Sequence, residues 1–196
     1  MATTLIIPGL RGSEPCHWQD WWLRNDPNAR LVAQRDWHDP RPGDWAAALI
    51  EATRADPYCW LVAHSLGAIL VANLAAERLD LRVSGALLVA PADIEDESWA
   101  PPELRAFGPI SLAPLPFPAT VVASRNDPCA RFRRSRALAL AWGARFVDYG
   151  DAGHINVAAG FGAWPDGPRL LVEIQSRRRF SAPAASPRSD AFAAHP

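Results

Sequence analysis

The stretch Ala63-His64-Ser65-Leu66-Gly67 joins an apolar run, Cys59 to Val62, to a segment with helical spacing. A serine at such a strand-to-helix junction is forced into a strained backbone conformation that exposes its Oγ, provided the residues two before and two after it are small. Ala63 and Gly67 meet that condition, the first with one methyl more than the usual glycine. The competing reading is a helix N-cap serine followed by a Leu-Gly pair. A serine hydroxyl is a weak nucleophile at neutral pH, so the first reading requires a histidine base and an acid that orients it.

Both are present at matching places. Asp127, in Ser124-Arg125-Asn126-Asp127-Pro128, follows the β-branched run that starts at Thr120, and His154 follows the run from Ala144 to Tyr149. Strand C-termini share one edge of a parallel sheet, so Ser65, Asp127 and His154 are expected to converge, in the chain order Ser, Asp, His. Asp93, after the run Gly85 to Pro91, is the rival acid, whereas Asp148 and Asp151 lie too near His154 in the chain to align its ring. His195 lies near the C-terminus, and His64 adjoins a serine from which the turn sends it away; His17 and His38 follow the first two apolar runs. Asp36, His38 and Asp39 would need further ligands from elsewhere to hold an ion, and no metal is expected. An acyl-transfer site also needs oxyanion donors: the backbone N–H of Leu66 is one, and that of Leu10, in the glycine-containing loop Pro8 to Ser13, is the expected second.

The elements that must position these groups are six strands, Thr3–Ile7, Leu31–Trp37, Cys59–His64, Gly85–Pro91, Thr120–Arg125 and Ala144–Tyr149. Consecutive apolar residues such as Leu87-Leu88-Val89-Ala90 mark strands covered on both faces of a parallel sheet. Helical spacing predicts helices over Asp44–Ala55 with Asp44 as N-cap, Ser65–Leu79, and Arg133–Trp142 stopped by Gly143. Alternating strand and helix gives an α/β doubly wound sheet. The proline-rich stretch 95–118 reads as an excursion over the top of the sheet. Among the nine tryptophans, Trp18, Trp21, Trp22 and Trp37 lie in or beside the loops after the first two strands. Core filling is their default use, and Trp18, Trp37 and His17 are the candidates for a substrate-pocket wall.

With 196 residues, 49% hydrophobic and 21% charged, the chain suits one globular domain, expected over 1–180, with a flexible tail over 181–196. A net charge of -1 and a pI near 6.5 offer nothing to nucleic acid or an anionic membrane. All 20 basic residues are arginine, which removes Schiff-base lysines, the P-loop lysine and Ser-x-x-Lys hydrolases. Three widely spaced cysteines indicate neither a disulfide framework nor a thiolate zinc site, and they fit a reducing, cytoplasmic setting. No apolar run approaches the ~20 residues that span a bilayer. The Gly9-Leu10-Arg11-Gly12 loop does not supply the G-x-G-x-x-G of a dinucleotide site.

At these positions the sequence resembles the small single-domain serine hydrolases related to retinoblastoma-binding protein 9. The resemblance rests on Pro8-Gly9 with Gly12-Ser13 and His17-Trp18-Gln19, on Ala63 to Gly67, on Val122 to Pro128, on Gly153-His154-Ile155-Asn156, and on Gly160-Phe161-Gly162 with Trp164-Pro165. It implies a minimal α/β-hydrolase fold, a six-stranded mostly parallel sheet in the order 2-1-3-4-5-6 with helices on both faces and no large cap domain. It further implies a Ser-Asp-His triad on the positions already argued, no cofactor, and hydrolysis of small esters or amides as substrates. Reaction class is fixed more closely than substrate. An acyltransferase, or a non-catalytic binding protein of the same fold, is the alternative.

Overall fold

The computed structural model describes residues 2–181. Its strands are β1 (Thr4–Ile7), β2 (Ala29–Leu31), β3 (Cys59–His64), β4 (Val83–Val89), β5 (Ala119–Ala123) and β6 (Arg145–Asp148). All pair in parallel, in the order β2-β1-β3-β4-β5-β6. The helices are α1 (Trp18–Asn25), α2 (Pro42–Ala55), α3 (Leu66–Glu77), the short α4 (Pro102–Arg105), α5 (Phe132–Ala141) and α6 (Asp166–Ser181).

Side chains alternate across a strand, and here both sets are apolar. Leu5, Ile7, Leu61, Ala63 and Leu88 pack with α2, α3 and α5 on one face, while Ile6, Trp60, Val62, Leu87 and Val89 pack with α1 and α6 on the other. The chain steps outward from β1 to β2 and then returns across β1 to start β3. Right-handed crossovers in opposite directions leave α1 and α3 on opposite faces, and Ser65 stands at the C-terminal edge of the sheet, between β3 and α3.

The second strand is displaced from its expected span. It covers Ala29–Leu31 rather than Leu31–Trp37, because β1 offers partners only from Thr4 to Ile6 and the last contact is Val32 N–H to Ile6 O at 2.9 Å. Asp36 then turns the chain by accepting the N–H groups of His38 and Asp39, and Trp37 packs on Trp45 instead of continuing the strand. Helix α2 begins with Pro42 at its first turn and Arg41 at the cap, which leaves Asp44 inside the first turn instead of at the N-cap. Gly143 does follow α5 with φ +65, as its stop position requires. Helices α1 and α6 add to the sequence reading. The stretch 95–118 is pinned against the α2/α3 face: Phe107 O and the Ser111 N–H bond Asn73 of α3 at 2.7 and 2.8 Å, and Leu104, Phe107, Ile110 and Phe117 enter the core. Of the expected tail, Ser181 ends α6, and 182–196 lie outside the described residues.

Trp45 is fully buried and meets Trp37 and Phe107 edge to face, at ring separations of 5.6 and 5.5 Å. Trp45→Ala should cost about 3–5 kcal/mol in urea unfolding. Leu140→Ala, at an 84% exposed site of α5, should stay within about 0.5 kcal/mol.

Candidate active site

Ser65 leaves β3 with φ 55 and ψ -122, and its side chain makes no capping hydrogen bond to α3. The N-cap reading of this serine therefore fails in the structure. Its backbone N–H bonds Val89 O at 3.0 Å, which anchors the turn to β4. The turn depends on glycine on both sides. A Cβ at Gly67 would lie 2.5 Å from the carbonyl oxygens of Ile7 and Pro8, and one at Gly9 would lie 2.7 Å from Ser65 Cβ and 3.2 Å from its Oγ. Backbone thus walls the hydroxyl at close range.

His154 Nε2 is 2.9 Å from Ser65 Oγ, and His154 Nδ1 is 2.9 and 3.0 Å from the two carboxylate oxygens of Asp127. The three side chains expected to converge do so, in one line of hydrogen bonds. Asp93, the rival, faces Arg134 at 3.4 Å. The loops carrying Asp127 and His154 are laced together: Ser124 Oγ accepts the Ala152 N–H at 2.8 Å, and Asn126 Oδ1 accepts the Gly153 N–H at 2.7 Å. Arg125 pairs with Asp148 at 2.7 Å. Every polar residue of Ser124-Arg125-Asn126-Asp127 therefore has a positional task.

Beneath His154 lies a buried set of ring donors. His64 Nε2 stands 2.9 Å from His154 O, so it must carry the proton; Trp18 Nε1–H donates to Ile155 O at 2.8 Å. Two successive carbonyls are clamped at a β-branched residue, Ile155, whose φ of 48 is sterically costly. His17 caps α1 by accepting the Gln19 N–H on Nδ1, and the Gln19 amide donates to Ile7 O and Val62 O across β1 and β3. Trp18 is fully buried and His17 nearly so, which places both beneath His154 rather than along an open pocket. Trp37 is partly exposed and covers Gly12. The clamp was missed in the sequence, where adjacent His-Trp-Gln gave no hint of which ring nitrogens would find backbone carbonyls.

Leu10 sits in a tight turn closed by Gly12 N–H to Gly9 O at 3.1 Å, with the Arg11 N–H given to Trp37 O at 2.8 Å. Leu66 is the first residue of α3. The exposed His38 and the Asp36 turn lie apart from this group, and the one set of three metal-type ligands among the described residues is Asp127, Cys129 and His154. A cavity of about 850 Å³, lined by Trp21, Trp22, Trp60 and Leu171, opens instead at the N-terminal ends of the strands and touches none of Ser65, Asp127 and His154.

A parallel sheet in this order, with a strained serine between β3 and α3 and acid and histidine loops after β5 and β6, defines an α/β-hydrolase fold. The family described as Serine hydrolase matches residues 4–173, and the chain belongs to that family. A YdeN-like hydrolase from Pectobacterium atrosepticum is 32% identical, with TM-score 0.81 over 91% of this chain and 92% of that one. The ydeN gene product of B. subtilis shares the fold at 22% identity and TM-score 0.71, covering 90% of this chain and 100% of that one. Est1E from Butyrivibrio proteoclasticus, solved with ferulic acid, shares it at 13% identity and TM-score 0.66, over 90% of each chain. No curated protein matches. No helix among the described residues is long and apolar enough to cross a membrane.

Burial holds His17 down to about 4, helped by repulsion from His154, and burial holds His64 well below 6.5 for the same two reasons. Their unfolded forms take up protons near 6.5 that the fold excludes, so their stabilising contribution is complete above pH 6.5 and is lost as pH falls. His154 works in the opposite sense: its contribution is complete below 6.5 and declines as pH rises through about 9. Stability should fall from pH 6.5 to 5 by up to about 1.4 kcal/mol per pH unit for each of His17 and His64. Urea midpoints across that interval measure it, and a flat profile contradicts the neutral-histidine assignment.

Proposed function

We propose that the protein hydrolyses small carboxylic esters through an acyl-enzyme formed on Ser65. The reading rests on one observation, the continuous hydrogen-bond line from Ser65 Oγ through His154 to Asp127. Ser65 Oγ attacks the substrate carbonyl carbon while His154 Nε2 takes its proton, and Asp127 holds the ring by accepting the Nδ1–H. The oxyanion of the tetrahedral intermediate is received by the Leu66 N–H, one of the first N–H groups of α3, which have no intrahelical acceptor. The Leu10 N–H, between a glycine that lies on Ser65 and two N–H groups already committed, is the second donor. Collapse breaks the ester C–O bond, and His154 returns its proton to the leaving alkoxide. Water then attacks the acyl carbon, giving its proton to His154 and releasing the acid and Ser65. Small amides are the close alternative substrate, since the same groups can protonate an amine.

Burial opposes charge on His154, but its hydrogen bonds to Asp127 and the nearby Cys129 outweigh that and push its pKa up to about 9. The base is active when neutral, so kcat/KM should climb from pH 7 toward 9. Ser65→Ala and His154→Ala should each lower kcat/KM for a p-nitrophenyl ester by at least about 10³-fold; Ser65→Ala should barely move the urea midpoint, whereas His154→Ala, which leaves the buried Asp127 carboxylate without its ring partner, should lower it. Asp127→Asn should lower both the rate and the midpoint of the pH profile. A Ser65→Ala protein that keeps most of its activity contradicts the mechanism.

A further inference from the structure

Asp127, Cys129 and His154 offer a carboxylate oxygen, a sulfur and a ring nitrogen that all lie within 4.8 Å of one another. A tetrahedral zinc ion, with bonds of about 2.0–2.3 Å, holds its ligands about 3.5 Å apart, so modest side-chain shifts complete the set. Asp127 and His154 are closed from solvent, at 2% and 10% side-chain exposure, while Cys129 is partly exposed and opens the cluster to solution. The loop fixes this cysteine on two sides. Its N–H donates to Asp127 Oδ1 at 2.8 Å, and its carbonyl accepts the Asp93 N–H at 2.9 Å. In ester hydrolysis as derived above the thiol neither takes nor gives a proton and forms no bond, its one part being to help raise the His154 pKa.

We infer that Asp127, Cys129 and His154 form an inhibitory site for a thiophilic divalent cation of the zinc class. The inhibition rests on the hydrolytic roles proposed for Asp127 and His154; the binding does not. Thiolate, carboxylate and neutral imidazole suit such an ion in chemical softness and sum to two negative charges, so the buried complex is neutral. Neighbouring cations are engaged elsewhere: Arg131 faces Asp96 at 3.7 Å, and Arg134 faces Asp93 and Glu95. On binding, the Cys129 thiol loses its proton to solvent and a sulfur–metal bond forms. As the ion takes His154 Nδ1, the nitrogen that faces Asp127, the proton there is released to solvent, and the neutral ring holds its one proton on Nε2, taken up from solvent where the ring starts with Nδ1 alone protonated. A ring protonated on Nε2 cannot accept the Ser65 proton, and Asp127 no longer orients it. The three protein ligands leave a fourth position to water.

The test uses the full chain carrying Cys16→Ser, which removes the exposed thiol. Cadmium is titrated while the ultraviolet charge-transfer band of a cadmium–thiolate bond is followed, and zinc is titrated against p-nitrophenyl ester hydrolysis with reversal by a chelator. The expected result is a one-to-one band that disappears on adding Cys129→Ser, together with zinc inhibition whose half-effective concentration rises at least about tenfold in the same variant. Asp127→Asn should weaken the cadmium titration as well. A band unaffected by Cys129→Ser, no band, or a band with no change in hydrolysis overturns the inference. A protein that shows the band but hydrolyses no ester keeps the metal site and overturns the hydrolytic reading, so the two failures are separable.

Discussion

Everything at the site hangs on one backbone constraint, the turn at Ser65. With φ 55 and ψ -122 it occupies a conformation that costs a non-glycine residue about 1–3 kcal/mol, and it persists because its surroundings over-determine it. Val89 O holds its N–H, and Gly67 lets the first turn of α3 press against the carbonyls of Ile7 and Pro8. Gly9 lets the loop after β1 lie on the serine side chain itself. Since β1 and β3 are neighbours at the point where the strand order reverses, that approach follows from the topology. The strain is local, and the buried strands on either side sustain it.

The second half of the site is held by donors rather than by strain alone. His64, one residue before the serine, reaches back to the carbonyl of His154, while Trp18 takes the next carbonyl from the start of α1. The elbow and the histidine loop are thereby joined through a ring that burial and the neighbouring His154 and His17 hold neutral. Acidification should strike this cluster before it reaches the carboxylates that bind the surface arginines. Cys129 stands next to Asp127 and His154, which gives the site a soft ligand atom that takes no proton or bond in hydrolysis.

Much of this was legible in the sequence because it depends on residue type at a strand end. Small residues around Ser65, an aspartate after one β-branched run and a histidine after the next carry their position with them, and the strand order followed from the resemblance. The second strand was not legible in its bounds, since Leu31 to Trp37 is apolar enough to pair but β1 is too short to pair with it. Helix α6 hides its stripe of Leu170, Leu171 and Ile174 among charged neighbours. Trp18 read as core filling by default, with the pocket wall as the alternative it shared with Trp37 and His17. Only the folded positions of Ile155 and Gln19 show that the ring nitrogens of Trp18 and His17 are structural donors and acceptors. The metal-type cluster draws on two loops, which no cysteine spacing reveals.

The most direct measurement of the central claim is reaction of the purified protein with a fluorophosphonate probe, read by intact mass and peptide mapping beside Ser65→Ala and His154→Ala. The expected result is one probe per chain, attached at Ser65, and none on either variant. A well-folded wild-type protein that stays unlabelled, or one labelled equally in the His154→Ala background, would contradict the assignment of Ser65 as a nucleophile activated by His154.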